Sequence, residues 1–151
     1  MDELEFRENV IDVDTYLKLR ASVGWKVLTR EQAGMALKGS LYTVGLYIAG
    51  QPVGMGRLVG DGAVICYIQD LIVHPNAQGL GVGHMLMERL IAHTEALTQE
   101  GTEMMLDLMC AKGREAFYRS HGFLARPTKE LGPGMIRYLD KRRSLQEDRT
   151  T

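Results

Sequence analysis

The glycine-rich run QGLGVG at residues 78–83 limits the fold more than any other part of this sequence. It follows a short apolar stretch at residues 68–73 and precedes an amphipathic stretch that ends near residue 100. Pro75 ends the apolar stretch as a strand because proline has no amide hydrogen for a β-ladder. Glycines at alternate positions let a backbone approach a ligand closely with its N–H groups aligned. The sequence therefore predicts a strand, a turn and a helix whose N-terminus binds an anion, such as a pyrophosphate.

The spacing of the glycines separates this turn from two other phosphate-binding loops. The dinucleotide fingerprint G-x-G-x-x-G fails because His84 stands where the third glycine belongs when the count starts at Gly79. The P-loop string G-x-x-x-x-G-K-[ST] does not occur in the chain. The chain instead carries V-x-P-x-x-Q-G-x-G-x-G from Val73 to Gly83, and a second run, FYRSHGF, at residues 117–123.

Together the two motifs resemble the GCN5-related N-acetyltransferases, whose acetyl-CoA signature is Q/R-x-x-G-x-G/A and whose later element is F-Y-x-x-x-G-F. Gln78, Gly81 and Gly83 match the first motif. The resemblance covers nearly all of residues 3–139 and is weakest before residue 60. It implies a mixed α/β (α+β) fold, in which a mostly antiparallel sheet has one parallel strand pair splayed at the cofactor site, flanked by about four helices. It also implies one N-acetyltransferase domain over residues 1–139, followed by a polar, frayed tail at residues 140–151.

The resemblance further implies an acetyl-CoA-dependent N-acetyltransferase that moves an acetyl group to a primary amine of a small molecule by direct attack in a ternary complex. Acetyl-CoA is then the co-substrate, and no metal is expected because the histidines lack metal-ligand spacing. Tyr118 matches the acid that protonates the leaving thiolate, which a phenol can do since phenol and thiol pKa values are about 10 and 8.5. The implied cofactor-binding residues are Leu71, Ile72, Val73, Gln78, Gly79, Leu80, Gly81, Val82, Gly83 and His84.

The acceptor site and the general base are less closely specified. Trp25, Tyr67 and Gln69 are candidate substrate-binding residues, although Trp25 alternatively packs its loop against the core. Tyr67 and Gln69 stand where family members often place a Glu or His base, and neither is an ordinary base at neutral pH. Three options stay open: a water relay through Tyr67 or Asp70, a base on another strand such as Asp107, or an acceptor that is already partly neutral.

Hydrophobic periodicity and turn residues predict the secondary structure in more detail. Asp12 or Asp14 caps the first helix and Thr29 caps the second. Gly54 and Gly56 inside one strand indicate close packing or a bulge. The predicted strands span residues 4–8, 41–49, 52–59, 64–73, 104–109 and 135–139, and the later helices span residues 81–100 and 114–121.

Asp70 interrupts the apolar stretch before the glycine turn. Strand alternation predicts that Tyr67 and Gln69 face one side of the sheet and that Asp70 faces the other. A carboxylate inside a strand is costly to bury unless it accepts hydrogen bonds. We therefore expect Asp70 to be a buried, hydrogen-bonded structural group.

Length, charge and cysteine content narrow the classes of protein that remain. A chain of 151 residues favours one domain. A net charge of -1 gives no basic field for nucleic acid or an anionic membrane. No apolar run approaches the roughly 20 residues of a membrane helix, and the acidic N-terminus lacks a signal-peptide pattern. Cys66 and Cys110 lie in apolar stretches, so we expect buried, reduced thiols and a cytoplasmic location.

Two other functions compete with acetylation of a small molecule. A protein or peptide N-acetyltransferase would use the same chemistry on a larger acceptor. A non-catalytic acyl-CoA-binding sensor would keep the anion site without turnover; the missing carboxylate base favours it, and Tyr118 argues against it. Homodimers are common in the family, and the last strand or the tail is a candidate contact. The acceptor, the base, the oligomeric state and the use of other acyl groups do not follow from the sequence.

Overall fold

Residues 3–142 are described by a computed structural model of the chain, and they divide into two compact units with their boundary between Ala111 and Lys112. The second unit contains α4 (Glu115–Arg119). The single domain over residues 1–139 stays a prediction, and residues 143–151 of the predicted tail lie outside the described residues. The first unit contains β1 (Leu4–Glu8), α1 (Val13–Ser22), α2 (Arg30–Lys38), β2 (Tyr42–Ile48), β3 (Gln51–Gly60), β4 (Ile65–Val73), a 3₁₀ turn (Pro75–Ala77), α3 (Val82–Leu97) and β5 (Met105–Leu108).

The first unit is built on a sheet of five strands in the order β1-β2-β3-β4-β5. Neighbouring strands are antiparallel except for β4 and β5, which are parallel because α3 connects them. The predicted mixed α/β fold, with one parallel pair in a mostly antiparallel sheet, is therefore confirmed.

Two glycines of β3 let α3 lie directly on one face of the sheet. A Cβ atom on Gly54 would come within 2.9 Å of Leu86 Cδ1, and one on Gly56 within 2.6 Å of Leu90 Cδ1. The predicted close packing is confirmed. Met55, between these glycines, points to the opposite face. The buried cluster on that face contains Ile11, Tyr16, Leu19, Ala33, Met55 and Ile72.

The two helices on the α1 side begin at the capping residues that the sequence indicates. Asp12 Oδ1 accepts a hydrogen bond from the Thr15 amide at 2.7 Å, and Thr29 Oγ1 accepts one from the Gln32 amide at 3.0 Å. Such a side-chain cap satisfies a helix amide that has no intrahelical acceptor and contributes about 1 kcal/mol. The Thr29 cap also fixes where the loop that contains Trp25 ends.

The predicted strand at residues 135–139 is wrong, because this stretch forms neither helix nor strand. Met135, Tyr138 and Leu139 are 89%, 69% and 80% exposed. The stretch has the apolar and aromatic residues that strands favour, but a strand also needs a partner for its ladder and a buried face. Neither condition is met here within the described residues.

The prediction for the two cysteines is half right. Cys66 is buried in β4, but Cys110 is exposed. Cys110 follows the end of β5, where the alternation that buries strand residues no longer applies. None of the helices in residues 3–142 is both long and apolar enough to cross a membrane.

Candidate functional site

The hydrogen-bonded pairing of the parallel strands β4 and β5 ends before β4 does. Their pairing runs from Ile65 opposite Met105 to Ile68 opposite Leu108 and stops there. Strand β4 continues to Val73 alongside β3. Within the described residues, the other edge of β4 therefore has no strand partner between residues 69 and 73. The predicted cofactor-binding residues Leu71, Ile72 and Val73 lie on this open edge; Ile72 is buried and the other two are half-buried.

A β-bulge at Asp70 reshapes β4 just before this edge. Met55 of β3 lies opposite Ile72 and Arg57 opposite Gln69, so β4 carries one extra residue between these pairs. Asp70 has a φ of 60°, a left-handed conformation that costs a residue other than glycine about 1 kcal/mol. The bulge overturns the alternation predicted for this strand. Asp70 now reaches the side of the sheet that holds Arg57, the strand partner of Gln69.

Three side chains donate hydrogen bonds to the Asp70 carboxylate, whose side chain is fully buried. Arg20 Nη1 donates to Oδ1 at 2.6 Å, and Arg57 Nε donates to Oδ2 at 3.1 Å. The hydroxyl of Tyr16 also donates to Oδ2. Burial, together with the hydrogen bond to Asp70, raises the pKa of Tyr16 to about 12. The prediction that Asp70 is a buried, hydrogen-bonded structural group is confirmed.

The same network extends to the loop of Trp25. Arg20 Nη2 donates to the Lys26 carbonyl at 2.9 Å, and its guanidinium lies 5.5 Å from the centre of the Trp25 ring. Trp25 is 38% exposed, so most of its surface is covered while one part faces solvent. The bulged strand and the candidate acceptor loop are thus joined through one arginine.

Arg57 completes the network on the α2 side. Its Nη1 donates to the Ala36 carbonyl and to Ser40 Oγ, both at 3.3 Å. Sequence reasoning missed this cluster, although an arginine inside an apolar strand was a usable signal, since such a charge needs a buried partner. The network shows why α1 and α2 are held against β3 and β4.

The glycine turn leads from β4 into α3 as predicted. Gln78 Nε2 donates to the Val73 carbonyl at 3.2 Å and ties the turn to the end of the strand. Gly79 and Gly81 have φ values of 82° and 81°, which side chains rarely tolerate. A Cβ atom at either glycine would meet no atom within 4 Å, so the space in front of the turn is open.

Gly81 is the N-cap of α3 and makes no side-chain cap hydrogen bond. An α-helix leaves its first amides without an intrahelical acceptor, and its dipole favours an anion there. Val82 is buried in the core, whereas Leu80 and His84 are exposed. Any contact that Val82 makes with a ligand must therefore come from its amide. The open space and the helix amides without an intrahelical acceptor suit a diphosphate, the group that the sequence motif indicates.

Two further candidates lie on the α1 side of β4. Tyr67 pairs with Val59 and Gln69 with Arg57, and residues directly opposite on antiparallel strands share a face. Both side chains are half-buried. They therefore lie on the side of the sheet that α1 and α2 cover, the same side as the Trp25 loop.

Asp107 of β5 stands directly opposite Tyr67 in the parallel register. Its Oδ1 is buried and accepts no hydrogen bond from any residue in the described range 3–142. Burial raises the pKa of the Asp107 carboxyl, and a hydrogen bond from its own backbone amide offsets part of this effect. Over the same range, no group of three or more His, Cys, Asp or Glu side chains could hold a metal ion.

Tyr118 lies in α4, in the second compact unit. Its ring makes edge contacts with Phe117 and Phe123, at centroid distances of 5.1 and 6.1 Å. Gly122 has a φ of 89°, and the Phe123 amide donates to the Tyr118 carbonyl at 3.2 Å. The glycine thus turns the chain back so that the last aromatic residue of the motif contacts the tyrosine, which is half-buried.

The sequence matches the model of a protein family described as an acetyltransferase (GNAT) domain over residues 41–124. The match begins just before β2 and ends one residue after the aromatic motif. It therefore includes the open edge of β4, the glycine turn and Tyr118.

Two curated relatives align with most of the chain. Serotonin N-acetyltransferase 2, chloroplastic, of Oryza sativa subsp. japonica is 32% identical over 145 residues, which cover 93% of this chain and 68% of that protein. An uncharacterized ycf52-like N-acetyltransferase of Prochlorococcus marinus is 30% identical over 121 residues, covering 78% of this chain and 65% of that protein. The chain thus spans about two thirds of the length of these relatives.

Two solved structures share the fold over nearly the whole chain. A probable acetyltransferase from meticillin-resistant Staphylococcus aureus superposes with a TM-score of 0.78 at 29% identity, covering 90% of this chain and all of that one. A GNAT family protein from Streptococcus pneumoniae gives a TM-score of 0.74 at 28% identity, covering 94% and 100%.

Proposed function

The chain belongs to the GNAT acetyltransferases, and we propose that it transfers the acetyl group of acetyl-CoA to a primary amine of a small molecule in a ternary complex. Members of this family use acetyl-CoA. The observation that carries the proposal is the open glycine turn at the N-terminus of α3, which follows the unpaired edge of β4. A helix N-terminus offers amides to an anion, and a strand edge without a partner can pair with an extended, amide-containing arm. Coenzyme A has both groups: a diphosphate and a pantetheine arm.

In this proposal the two features bind different parts of acetyl-CoA. The amides of residues 79–84 receive the diphosphate, because several N–H groups and the helix dipole favour negative charge there. The main chain at Leu71, Ile72 and Val73 pairs with the pantetheine arm as an added strand would. An amide of the same edge polarises the acyl oxygen when the amine attacks.

We assign the general acid to Tyr118. The leaving thiolate needs a proton, and a phenol with a pKa of about 10 can supply it to a thiol with a pKa of about 8.5 during the reaction without strong tuning. Support for this role comes from the F-Y-x-x-x-G-F motif and from the aromatic contacts that orient the ring. The chain needs no covalent enzyme intermediate for this route, since the amine attacks the thioester directly.

The acceptor is proposed to enter from the α1 side of the sheet, near Trp25, Tyr67 and Gln69. A partly exposed tryptophan in a loop can contact a small organic amine with its ring face. The relative named serotonin N-acetyltransferase makes serotonin a reasonable first acceptor to test. A protein or peptide amine is the second candidate, and a cytoplasmic location and a homodimer stay predictions.

The deciding experiment is a thiol-release screen, in which the purified chain is given acetyl-CoA and a library of amines that begins with serotonin and includes short peptides. We expect at least one small primary amine to release thiol well above the rate with acetyl-CoA alone. Release with peptides only would shift the assignment to protein acetylation. Tight acetyl-CoA binding without release by any amine would indicate a sensor and contradict the proposal.

The role of Tyr118 is tested with the best amine from that screen. Tyr118→Phe should lower kcat by about a hundredfold or more, the usual contribution of a positioned acid, with the KM for acetyl-CoA changed only a few-fold. Tyr138→Phe is the matched control, since that ring is 69% exposed in the same compact unit. Equal kcat values in the two variants would remove Tyr118 from the mechanism.

A further inference from the structure

An acetyltransferase of this kind needs a group that takes a proton from its acceptor. A primary amine reaches the site mainly as an ammonium ion at neutral pH, because its nitrogen is as basic as that of lysine. The ammonium has no lone pair with which to attack a carbonyl carbon. On β4, Tyr67 and Gln69 stand where the general base is expected from the family resemblance. Neither is an ordinary base at this pH.

Two carboxylates lie on β4 and β5 beside these residues, and the structure treats them differently. Asp70 accepts three hydrogen bonds, two of them from guanidinium groups. Both of its oxygens are occupied by protein donors, and its side chain is closed to solvent. Asp70 is therefore excluded as the base, and its part in a water relay is equally disfavoured.

Asp107 has the opposite surroundings. It stands opposite Tyr67, one residue before the last β4–β5 pair, at Ile68 and Leu108. Directly opposite residues share a face of the sheet, so its carboxylate lies on the side of Tyr67, where the strands begin to separate. Its Oδ1 is buried without a donor anywhere in residues 3–142. A buried oxygen without a hydrogen bond is costly and indicates a missing partner.

We propose that Asp107 is the general base and that the missing partner of Oδ1 is the ammonium group of the acceptor. The inference rests on the proposed function. The carboxylate first binds the ammonium and then accepts one of its protons, which leaves a neutral amine and a carboxylic acid. The amine nitrogen bonds to the acetyl carbon, and the carbon–sulfur bond breaks. A second nitrogen proton replaces the one that Tyr118 gives to the sulfur, and Asp107 returns its proton to solvent.

Burial supports this role because it makes Asp107 a stronger base than an exposed carboxylate, as the raised pKa shows. The titratable groups on the facing strand β4 are Cys66, Tyr67 and Asp70. Burial is the first cause that raises the pKa of the Cys66 thiol, and the Asp61 and Asp107 carboxylates add to the effect. None of these side chains is a cation in either protonation state, so none of them would hold Asp107 ionised.

The test compares Asp107→Asn with the wild-type chain over a range of pH, using serotonin or, if serotonin is not acetylated, the fastest amine of the screen. At pH 7 we expect kcat/KM to fall by about a hundredfold or more. The deficit should shrink as the pH approaches the pKa of the acceptor, since the amine then arrives neutral. Asp14→Asn is the matched control because its carboxylate is 68% exposed.

Chemical rescue separates proton transfer from a merely structural effect. Asp107→Ala should recover part of its kcat when formate is added, because formate can take the place of the carboxylate, and Asp14→Ala should not respond. An unchanged kcat/KM for Asp107→Asn at pH 7 would contradict the proposal. So would a deficit that is the same at every pH and is not relieved by formate.

A measurement without turnover distinguishes failure of this inference from failure of the proposed function. The carboxyl carbon of Asp107 can be followed by NMR during an acid titration of the chain. We expect its pKa above the ordinary aspartate value of about 3.9. If no amine is acetylated, the proposed function fails; a carboxyl that titrates at or below the ordinary value would overturn Asp107 as the base whatever the screen shows.

Discussion

Asp70 and Asp107 lie on adjacent strands, and the same residue type has different surroundings at the two positions. The side chain of Asp70 is inaccessible to solvent and accepts hydrogen bonds from Tyr16, Arg20 and Arg57. Asp107 also buries an oxygen, but no donor in residues 3–142 reaches it. The number of donors decides the outcome. A carboxylate with both oxygens engaged by protein donors holds the fold, and one with an oxygen left over can bind a substrate.

The comparison also explains why the sheet tolerates a strained residue. The left-handed backbone of Asp70 would be unfavourable alone. The bulge nevertheless turns the carboxylate toward α1, where two arginines and a tyrosine receive it. The network therefore fixes the shape of β4 immediately before the edge that is proposed to bind acetyl-CoA. The strained backbone of Asp70 thus lies next to the proposed acetyl-CoA site.

The largest effect is expected for Asp70→Asn. The substitution leaves two buried guanidinium groups, on Arg20 and Arg57, without their counter-ion. Removing one partner of a buried ion pair typically costs about 3–5 kcal/mol. Urea denaturation of the variant should show a loss of that size in the free energy of unfolding.

Asp14→Asn gives the scale against which Asp70→Asn is judged. Asp14 pairs with Arg30 on the surface, with side chains 68% and 67% exposed, and such pairs contribute about 0–1 kcal/mol. Similar losses in the two variants would mean that the buried network does not stabilise the fold, and the contrast between Asp70 and Asp107 would lose its basis.

A smaller loss is expected for Tyr16→Phe, which removes one donor from Asp70 and leaves both arginines. Hydrogen bonds to charged groups contribute about 1.5–3 kcal/mol. Because the pKa of Tyr16 is raised to about 12, its proton stays in place through the ordinary phenol range. The contribution is complete below about pH 10, the unfolded value, and is lost as the pH rises through the folded pKa.

Tyr42→Phe is the matched control for Tyr16→Phe, read by the same urea titration at pH 7 and pH 9. Tyr42 is equally buried but donates at 2.6 Å to Glu8, whose side chain is 50% exposed and can turn to water instead. We expect a loss of about 1 kcal/mol or less for this control. A Tyr16→Phe loss that shrinks between these two pH values would conflict with the raised pKa.

The smallest effect on stability is expected for Asp107→Asn. The raised pKa of Asp107 means that the folded state holds its proton more tightly than the unfolded state does. Its ionised form therefore lowers stability, increasingly as the pH rises from about 4 through the folded pKa. Asp107→Asn should equal the wild type near pH 4 and match or exceed it near pH 7, by about 1 kcal/mol or less.

Thermal denaturation at several pH values measures this difference. A large destabilisation of Asp107→Asn at pH 7 would place Asp107 among the structural carboxylates with Asp70. The contrast between Asp70 and Asp107 would then fail, because loss of activity in Asp107→Asn could no longer be separated from loss of the fold.

Much of the fold could be predicted because its determinants are local. Asp12 and Thr29 mark the starts of α1 and α2, and Gly81 marks the turn between β4 and α3. The glycines of β3 indicated close packing or a bulge, and the structure shows close packing against Leu86 and Leu90 of α3. The antiparallel pairing of β2, β3 and β4 followed from short turns, and the parallel pairing of β4 and β5 followed from the helix between them.

Two of the errors share a cause, which is that the structure there depends on partners distant in the sequence. The local sequence pattern does not show that Asp70 takes a positive φ. This conformation is stabilised by hydrogen bonds from arginines on other elements. Residues 135–139 look like a strand, but forming one requires a partner that the sequence does not name. Cys110 lies in an apolar run and is exposed because its strand has already ended.

The assignment of acetyl-CoA to the glycine turn is tested most directly by calorimetry on two glycine variants. Gly81 and Gly101 have φ values of 81° and 80°, and a Cβ atom at either would meet nothing within 4 Å. Gly81→Leu and Gly101→Leu therefore carry the same backbone strain, the first at the N-cap of α3 and the second in the turn that follows this helix. We predict that acetyl-CoA binds Gly81→Leu at least tenfold more weakly than the wild type, a loss of about 1.4 kcal/mol, and Gly101→Leu within threefold. Equal affinity in the two variants would contradict the account.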